Sequence, residues 1–416
     1  MEIAHILRKY DPAAWGGTET AVLRLLSGLR RNGIESTVHC PDSVRISDND
    51  PFRTVARAMR PYRAFLPVAR LSATQREQLY SWGGNLFSFG LLRHLLFDKP
   101  VHVIHSHALN RLAGIGLLAA RIRRVPFVVT IHGGVLDLPA SAHEQLTAPL
   151  RGGFEWGKAL GWLVQSRNVL AKADAIITCN PREAELLRKR YPHQRVAVEP
   201  HCVPAERYGR DCRDAALRAF PQIAGRDVLL KLARIDPVKN HEWLIAQLRR
   251  VIARHPKTLL VFAGSVTCPE SNARLQEDIK RLGLQNHVLF TGPLDPGSDE
   301  LVGLMQVARA SLLSSKSETF GIVILESWAA GTPVLSSRTS GAASLIRHNQ
   351  NGFLFDLDSP DTFHSALEAV LQNSTQRESI INTARTEVIM HYSIDAAARR
   401  MQSLYEELIR NRGNTV

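Results

Sequence analysis

Short apolar runs alternate with amphipathic stretches along most of this 416-residue chain. Residues 2–7, mostly apolar, read as a first strand, and Ala21, Val22, Leu25, Leu26 and Leu29 recur at helical spacing. A second strand is predicted at 35–40. After a stretch without clear alternation (41–100), the pattern resumes with a strand at 101–107, a helix at 109–123 and a strand at 126–131. Strand 175–179, helix 181–191 and strand 196–198 follow. Pro200 and Pro204, in an irregular polar run, mark a domain boundary near residue 205. A second series then begins, with strands at 227–232, 258–264, 288–290, 310–313 and from 334. Between them lie helices at 241–253, 272–282 and 299–307, and one that starts near Gly321 and stops at Gly331-Thr332-Pro333. Strand–helix repeats of this length predict parallel sheets covered by helices on both faces, and so an α/β protein. The expected domains are 1–205 and 206–385. The segment 386–416, which carries a long helix at 394–410, is expected to return to the first domain.

Composition narrows the function classes. A hydrophobic content of 44% supports two sizeable cores and rules out wholesale disorder. The five cysteines are scattered and odd in number, with no Cys-x-x-Cys and no Cys/His cluster at metal-ligand spacing, so neither a disulfide framework nor a metal site is expected. Met1 to Arg8 runs directly into a strand, and no 18-residue apolar run exists. A cytoplasmic protein is therefore expected.

The net charge of +13 suits an anionic partner, such as a nucleic acid, an anionic membrane surface or a phosphorylated ligand. No nucleic-acid reading motif is present, so nucleic acid is not the expected partner. Arg53, Arg57, Arg60, Arg63, Arg70 and Arg76 interleave with Phe52, Val55, Met59, Tyr62, Phe65, Leu66 and Val68. Such a basic amphipathic stretch can lie on the inner face of a membrane, or it can be a solvated arginine-rich helix face.

Candidate chemistry gathers at strand ends. Gly16-Gly17 stands between the first strand and the first helix, where glycine lets the backbone approach a phosphate; a tight turn explains the pair equally well. His132, before Gly133-Gly134, closes the 126–131 strand at the position where open α/β sheets place ligand groups. His105 and His107 are expected to be structural. Arg234 and Lys239 share one strand-to-helix loop and can converge on a diphosphate. In the loop Glu318-Thr319-Phe320-Gly321 the carboxylate can accept from a sugar's hydroxyls, and Glu326, further along the helix, can reach a second ring such as a ribose.

Taken in order, these features resemble the family 4 retaining nucleotide-sugar glycosyltransferases, which have two Rossmann-like domains (GT-B). Glu318 and Glu326 are separated by seven residues within Ser-Glu-Thr-Phe-Gly-Ile-Val-Ile-Leu-Glu, like that family's paired glutamates. Gly16-Gly17-Thr18-Glu19 resembles its glycine loop, Thr130-Ile131-His132-Gly133 its donor-site histidine, and Arg234 through Lys239 its diphosphate pair. Ala329 to Val334, Asn351 to Leu354, and Tyr392-Ser393 through Tyr405-Glu406 match its later segments. The chain departs at Ala233 and Asn240, where glycine is usual, and at His201-Cys202-Val203, where Asn-Gly-Val is usual.

The resemblance implies two domains facing a central cleft and a nucleotide-diphosphate sugar as donor substrate, with no other cofactor and no metal. It further implies that Arg234 and Lys239 hold the leaving diphosphate, with the Gly17 N–H approaching it. Glu318 and the backbone of 319–321 would grip the sugar, Glu326 the ribose, and His132 would meet the sugar near the reacting carbon. The expected acceptor is a lipid-linked saccharide or other glycan intermediate. Alternatives are a sugar-nucleotide epimerase or phosphorylase of the same fold, or an inactive membrane-associated scaffold.

Overall fold

The structure, a computed structural model, describes residues 1–10, 16–42, 50–82, 84–98, 100–133, 135–136 and 148–413. Gly134, named above beside His132, lies outside the described residues. In chain order the strands are β1 (Glu2–Ile6), β2 (Glu35–Pro41), β3 (Ala58–Tyr62), β4 (Val68–Ala69), β5 (Val103–Ser106), β6 (Phe127–Ile131), β7 (Phe154–Glu155), β8 (Ala175–Thr178) and β9 (Val196–Val198). They continue as β10 (Asp227–Leu232), β11 (Thr258–Ala263), β12 (Val288–Gly292), β13 (Ala310–Leu313), β14 (Val334–Ser337) and β15 (Phe353–Phe355).

The chain divides into two compact units, one made of Met1–His201 together with the chain from Ile394 onward, the other of Cys202–Ser393. The divisions therefore fall after His201 and Ser393 rather than at 205 and 386. The helix Ser374–Glu387 and the π-helical turn Val388–Tyr392 stay with the second unit, where Asn351 Nδ2 donates to Glu387 at 2.9 Å.

The first unit is built on a parallel seven-stranded sheet in the order β3-β2-β1-β5-β6-β8-β9. Its inner strands are apolar on both sides because each side meets a different core. Ile3 packs with Val103, Val128, Leu404 and Tyr405 on one face, while Ala4 and Ile6 pack with Ile104, Val129, Leu112 and Leu117 on the other. The helix Ile394–Gly413 belongs here because Ala398, Met401, Tyr405 and Leu408 make one stripe at helical spacing, and all four are buried in that first core. It crosses the helix Gly17–Arg31 at Gly28, where any Cβ would lie 2.8 Å from Ala398 Cβ and Ile394 Cγ2.

The arginine-rich segment is not one helix. It runs through a short helix (Pro51–Val55), the edge strand β3, then β4, and enters the helix Ala73–Trp82. Its apolar members Phe52, Tyr62 and Val68 are buried, and Val55, Met59, Phe65 and Leu66 pack against cores. The six arginines are exposed; Arg57 pairs with Glu2 and Arg60 with Asp98. The apolar half of the expected amphipathic face is thus spent inside the fold.

The second unit has a parallel six-stranded sheet in the order β12-β11-β10-β13-β14-β15. The central strand β10 has its sequence successor β11 on one side and β13 on the other. The strand order therefore reverses between β10 and β13, and open α/β sheets leave a crevice at the carboxyl ends of such a pair. Both loops singled out for their charges, 233–240 after β10 and 314–321 after β13, emerge there.

Candidate active site

In the second unit, backbone and side-chain bonds tie the two switch-point loops together. Lys316 N donates to Val238 O at 2.8 Å, and the buried Ser314 hydroxyl donates to Asn240 O at 2.8 Å. The loop after β10 ends on Asn240 in the left-handed conformation (φ 54°, ψ 54°), which asparagine tolerates better than most non-glycine residues, so glycine's absence there does not disturb the turn. Close approach at Ala233 is accommodated by Gly264 opposite it, where a Cβ would lie 2.2 Å from Ala233 O.

The stitched loops place Lys239 Nζ 2.6 Å from Glu318 Oε2, with about a fifth of each side chain exposed (21% and 20%). Arg234 projects further, its side chain 63% exposed and 3.4 Å from Asp236. Gly321 (φ 90°) turns the chain into the helix Ile322–Ala330, whose first N–H groups have no intrahelical acceptor. Gly341 N donates to Glu318 O at 2.8 Å, and a Cβ on Gly341 would lie 2.5 Å from Phe320 N, so the loop backbone is clamped from a third side. Thr319 is half-buried, Phe320 is buried, and Glu326 is buried on the helix.

Behind the ion pair lies a group the sequence reading passed over. Lys231, inside β10, is buried, and its Nζ donates to Ser314 Oγ at 3.0 Å. Burial, reinforced by the nearby Lys239 charge and opposed by Glu318 and Asp236, pulls its pKa down to about 7. A lysine inside the otherwise apolar Val228-Leu229-Leu230-Lys231-Leu232 run was the available signal.

The first unit presents the other candidates. Gly16 is extended, not left-handed (φ −106°), and its N–H is taken by Glu19 Oε2 at 3.0 Å, a capping arrangement that leaves Gly17 as the first residue of its helix. His132 follows β6, and the strip after it is held down by Glu183, whose Oε1 accepts from Val135 N at 2.8 Å and Leu136 N at 3.0 Å.

His132 does not stand alone. Its Nε2 lies 3.0 Å from His107 Nδ1, and His107 Nε2 lies 3.0 Å from His5 Nδ1. His105, in register with His5 on the neighbouring strand, bonds Tyr405 Oη at 2.7 Å and Thr130 Oγ1 at 2.6 Å. His201 stacks on His132 with centroids 5.4 Å apart. Burial lowers the pKa of His132 to about 4 and those of His5 and His201 to about 3, so the rings are neutral at pH 7. His105 is buried with both ring nitrogens engaged, whereas His107 directly contacts the candidate donor histidine.

Comparison with known proteins agrees with this architecture. The family profile "Glycosyl transferases group 1" matches residues 214–387, and "Glycosyl transferase 4-like domain" matches 16–202. An uncharacterised glycosyltransferase of Methanocaldococcus jannaschii is 32% identical over 98% of each chain. A D-inositol 3-phosphate glycosyltransferase of Jonesia denitrificans is 26% identical over 94% of this chain and 91% of that one. Among solved structures, Anabaena HepE in complex with UDP and glucose gives a TM-score of 0.72 at 18% identity, covering 98% of this chain and 100% of that one. The sucrose-phosphate synthase of Thermosynechococcus elongatus gives 0.70 at 20% identity, covering 99% of both.

The fold is GT-B, with two Rossmann-like domains. The chain belongs to the family 4/group 1 glycosyltransferases and is a glycosyltransferase enzyme. Among the described residues, no helix is long and apolar enough to cross a membrane.

Proposed function

We propose that the chain moves a sugar from a nucleotide-diphosphate sugar to a hydroxyl acceptor, with retention of configuration and without a metal ion. The observation that carries this reading is the Lys239–Glu318 pair at the second unit's switch point, with Arg234 exposed in the same loop. Donor binding separates the pair: the diphosphate takes Lys239 and Arg234, and the freed Glu318 carboxylate accepts from the sugar's hydroxyls. Glu326 serves the ribose hydroxyls. The backbone of Thr319, Phe320 and Gly321, together with the Gly17 N–H at the helix start, supplies donors, the Gly16 N–H being taken by Glu19. His132 meets the sugar near the reacting carbon.

In the transfer itself, the bond from the anomeric carbon to the phosphate oxygen breaks as the acceptor oxygen approaches the same face. The departing phosphate takes the acceptor's proton. Positive charge grows on an oxocarbenium-like carbon and negative charge on the leaving diphosphate, so fixed cations beside the diphosphate lower the barrier.

A thermal-shift panel of UDP, GDP and ADP with their sugars identifies the donor, because a ligand bound only by the folded chain raises its stability. UDP sugars come first, since the neighbour HepE was solved with UDP and UDP-glucose. NMR of the product's anomeric proton and an assay in excess EDTA then test the mechanism. An inverted product, or activity that needs added Mg²⁺ or Mn²⁺, would remove it.

For the acceptor we favour a lipid-linked saccharide or related glycan intermediate reached at an anionic membrane surface, with the protein peripheral on its cytoplasmic face. Two features support this, the charge of +13 and a group of exposed aromatics in the first unit. Phe65 stacks on Trp156 (6.0 Å, 11°) and on Phe89 (6.1 Å, 24°), and Phe89, Phe154, Trp156 and Trp162 are all more than half exposed. These side chains, rather than the inward-turned apolar residues of 51–76, are the ones able to enter an interface. Co-sedimentation with anionic and neutral vesicles should show loss of binding in a Phe89/Trp156/Trp162→Ser variant. Equal binding by that variant and by an Arg63/Arg76→Glu variant would direct attention to a soluble phosphorylated acceptor, of the kind the inositol phosphate enzymes' name indicates.

A further inference from the structure

The first unit contains a continuous chain of neutral side chains that runs from its interior to His132. Ser36 Oγ lies 3.4 Å from His5 Nε2, His5 Nδ1 lies 3.0 Å from His107 Nε2, and His107 Nδ1 lies 3.0 Å from His132 Nε2. Ser36, His5 and His107 are buried. The remaining ring nitrogen, His132 Nδ1, is screened from solvent and has no hydrogen-bond partner among the described residues.

A neutral imidazole carries one N–H, so fixing the direction of one bond fixes all the others. Two directions are available. If His132 Nε2 donates inward, each bond reverses and His5 Nε2–H donates to Ser36. The buried Ser36 hydroxyl hydrogen is then left with no acceptor, and His132 Nδ1 is a bare lone pair. If Ser36 donates to His5, then His5 Nδ1–H donates to His107 and His107 Nδ1–H donates to His132 Nε2. Every polar hydrogen inside the chain is then used, and the one left over is His132 Nδ1–H. The second direction leaves fewer buried groups unsatisfied, and each such group is expensive. The group it leaves is one that a bound oxygen can satisfy.

We infer that Ser36, His5 and His107 are positioning residues that hold His132 in its neutral Nδ1–H tautomer, ready to donate to an oxygen of the bound sugar. The inference rests on the reading of His132 as a donor-site residue. A neutral donor suits that place, because it orients a sugar oxygen without adding a positive charge beside a carbon that itself becomes positive. Burial keeps His132 and His5 unprotonated well below pH 7, in keeping with this.

His5, His105 and His107 also bring three ligating atoms within 4.8 Å of one another, as a metal trio would. Their nitrogens are, however, already engaged. Those of His105 face Tyr405 and Thr130, and His5 and His107 bond each other. The hydrogen-bond chain therefore accounts for the cluster.

The test is long-range ¹⁵N–¹H correlation on the full-length protein labelled with ¹⁵N-histidine at pH 7, with His132 assigned by its absence in His132→Ala. The expected spectrum shows a protonated Nδ1 and an unprotonated Nε2 for His132. Ser36→Ala, a small change, should mix the two tautomers. His107→Phe should abolish the preference and lower kcat about tenfold while leaving the donor KM nearly unchanged. His107→Asn, whose amide N–H falls near the lost Nδ1–H, should restore both tautomer and rate. An Nε2–H or doubly protonated His132 in the wild type overturns the inference, as does a spectrum indifferent to Ser36→Ala and His107→Phe, or stoichiometric metal held by His5, His105 and His107. An Nδ1–H tautomer in a protein whose His132→Ala variant transfers sugar normally has a different meaning. It leaves the chain standing and removes His132 from the donor site.

Discussion

In the second unit the switch-point loops carry a salt bridge, Lys239 against Glu318, with Arg234 in the same loop as Lys239, partly open to water and backed by the buried Lys231. In the first unit the corresponding strand ends carry His107 and His132, whose charges burial has removed. Both units use one topology, in which ligands meet the carboxyl ends of parallel strands. What differs is how the charge is managed. The second unit's strand ends hold ion pairs that stay partly open to solvent. The first unit's strand ends hold polar rings that burial keeps neutral.

The contrast is broken most severely in the second unit. On the proposed function, Lys239→Ala removes a cation aimed at the charge that develops on the leaving group. Transfer should fall about a hundredfold, on the order of 3 kcal/mol, with circular dichroism and melting temperature little changed. Transfer at wild-type rates would mean that the ion pair is merely structural.

Lys231 sharpens the comparison, since it is the one cation described here that burial discharges near neutrality. An ammonium whose folded pKa is about 7, below its ordinary 10.5, burdens the fold fully below pH 7, and the burden lifts as pH rises from 7 toward 10.5. Lys231→Met should therefore stabilise the protein by roughly 2 kcal/mol at pH 6, because it replaces a buried charge that lacks a carboxylate bonded to it. The gain should shrink steadily by pH 9. Denaturant melts at the two pH values check this, and a gain that grows with pH contradicts it.

The smallest effect is expected in the neutral unit. Tyr405→Phe deletes the hydroxyl that meets His105, for a loss of about 1 kcal/mol in the same melts. That loss should not vary between pH 6 and 9, since His105 is neutral throughout.

How far these contrasts could be read from residues alone depends on the kind of interaction. The predicted strands at 196–198, 227–232 and 310–313 coincide with β9, β10 and β13, each a short, mostly apolar run. β3 was illegible: as an edge strand reading Ala-Met-Arg-Pro-Tyr, it is half exposed and carries a proline. Phe89–Phe97 gave no alternation because it is a helix that buries Leu91 and Leu95 and leaves Phe89 and Phe97 exposed. The charged loops could be read because each lies within a few consecutive residues. The histidine chain could not, since it joins positions 5, 36, 107 and 132, which only the pairing of β1 with β2 and β5, and of β5 with β6, brings together.

The helix Ile394–Gly413, seated against Gly28 and closing the core around Ile3, Val103 and Val128, has a consequence for synthesis. A ribosome emits the amino terminus first, and domains generally fold as they emerge. Here the half of the protein that begins first is finished last. The Cys202–Ser393 unit leaves the tunnel whole, while the strands made before it must wait for the final helix to cover them. During that interval an apolar sheet face is uncovered, and His105 has no Tyr405 to bond. A chain terminated after Ser393 would therefore leave incomplete not the unit it had just made but the unit it began with.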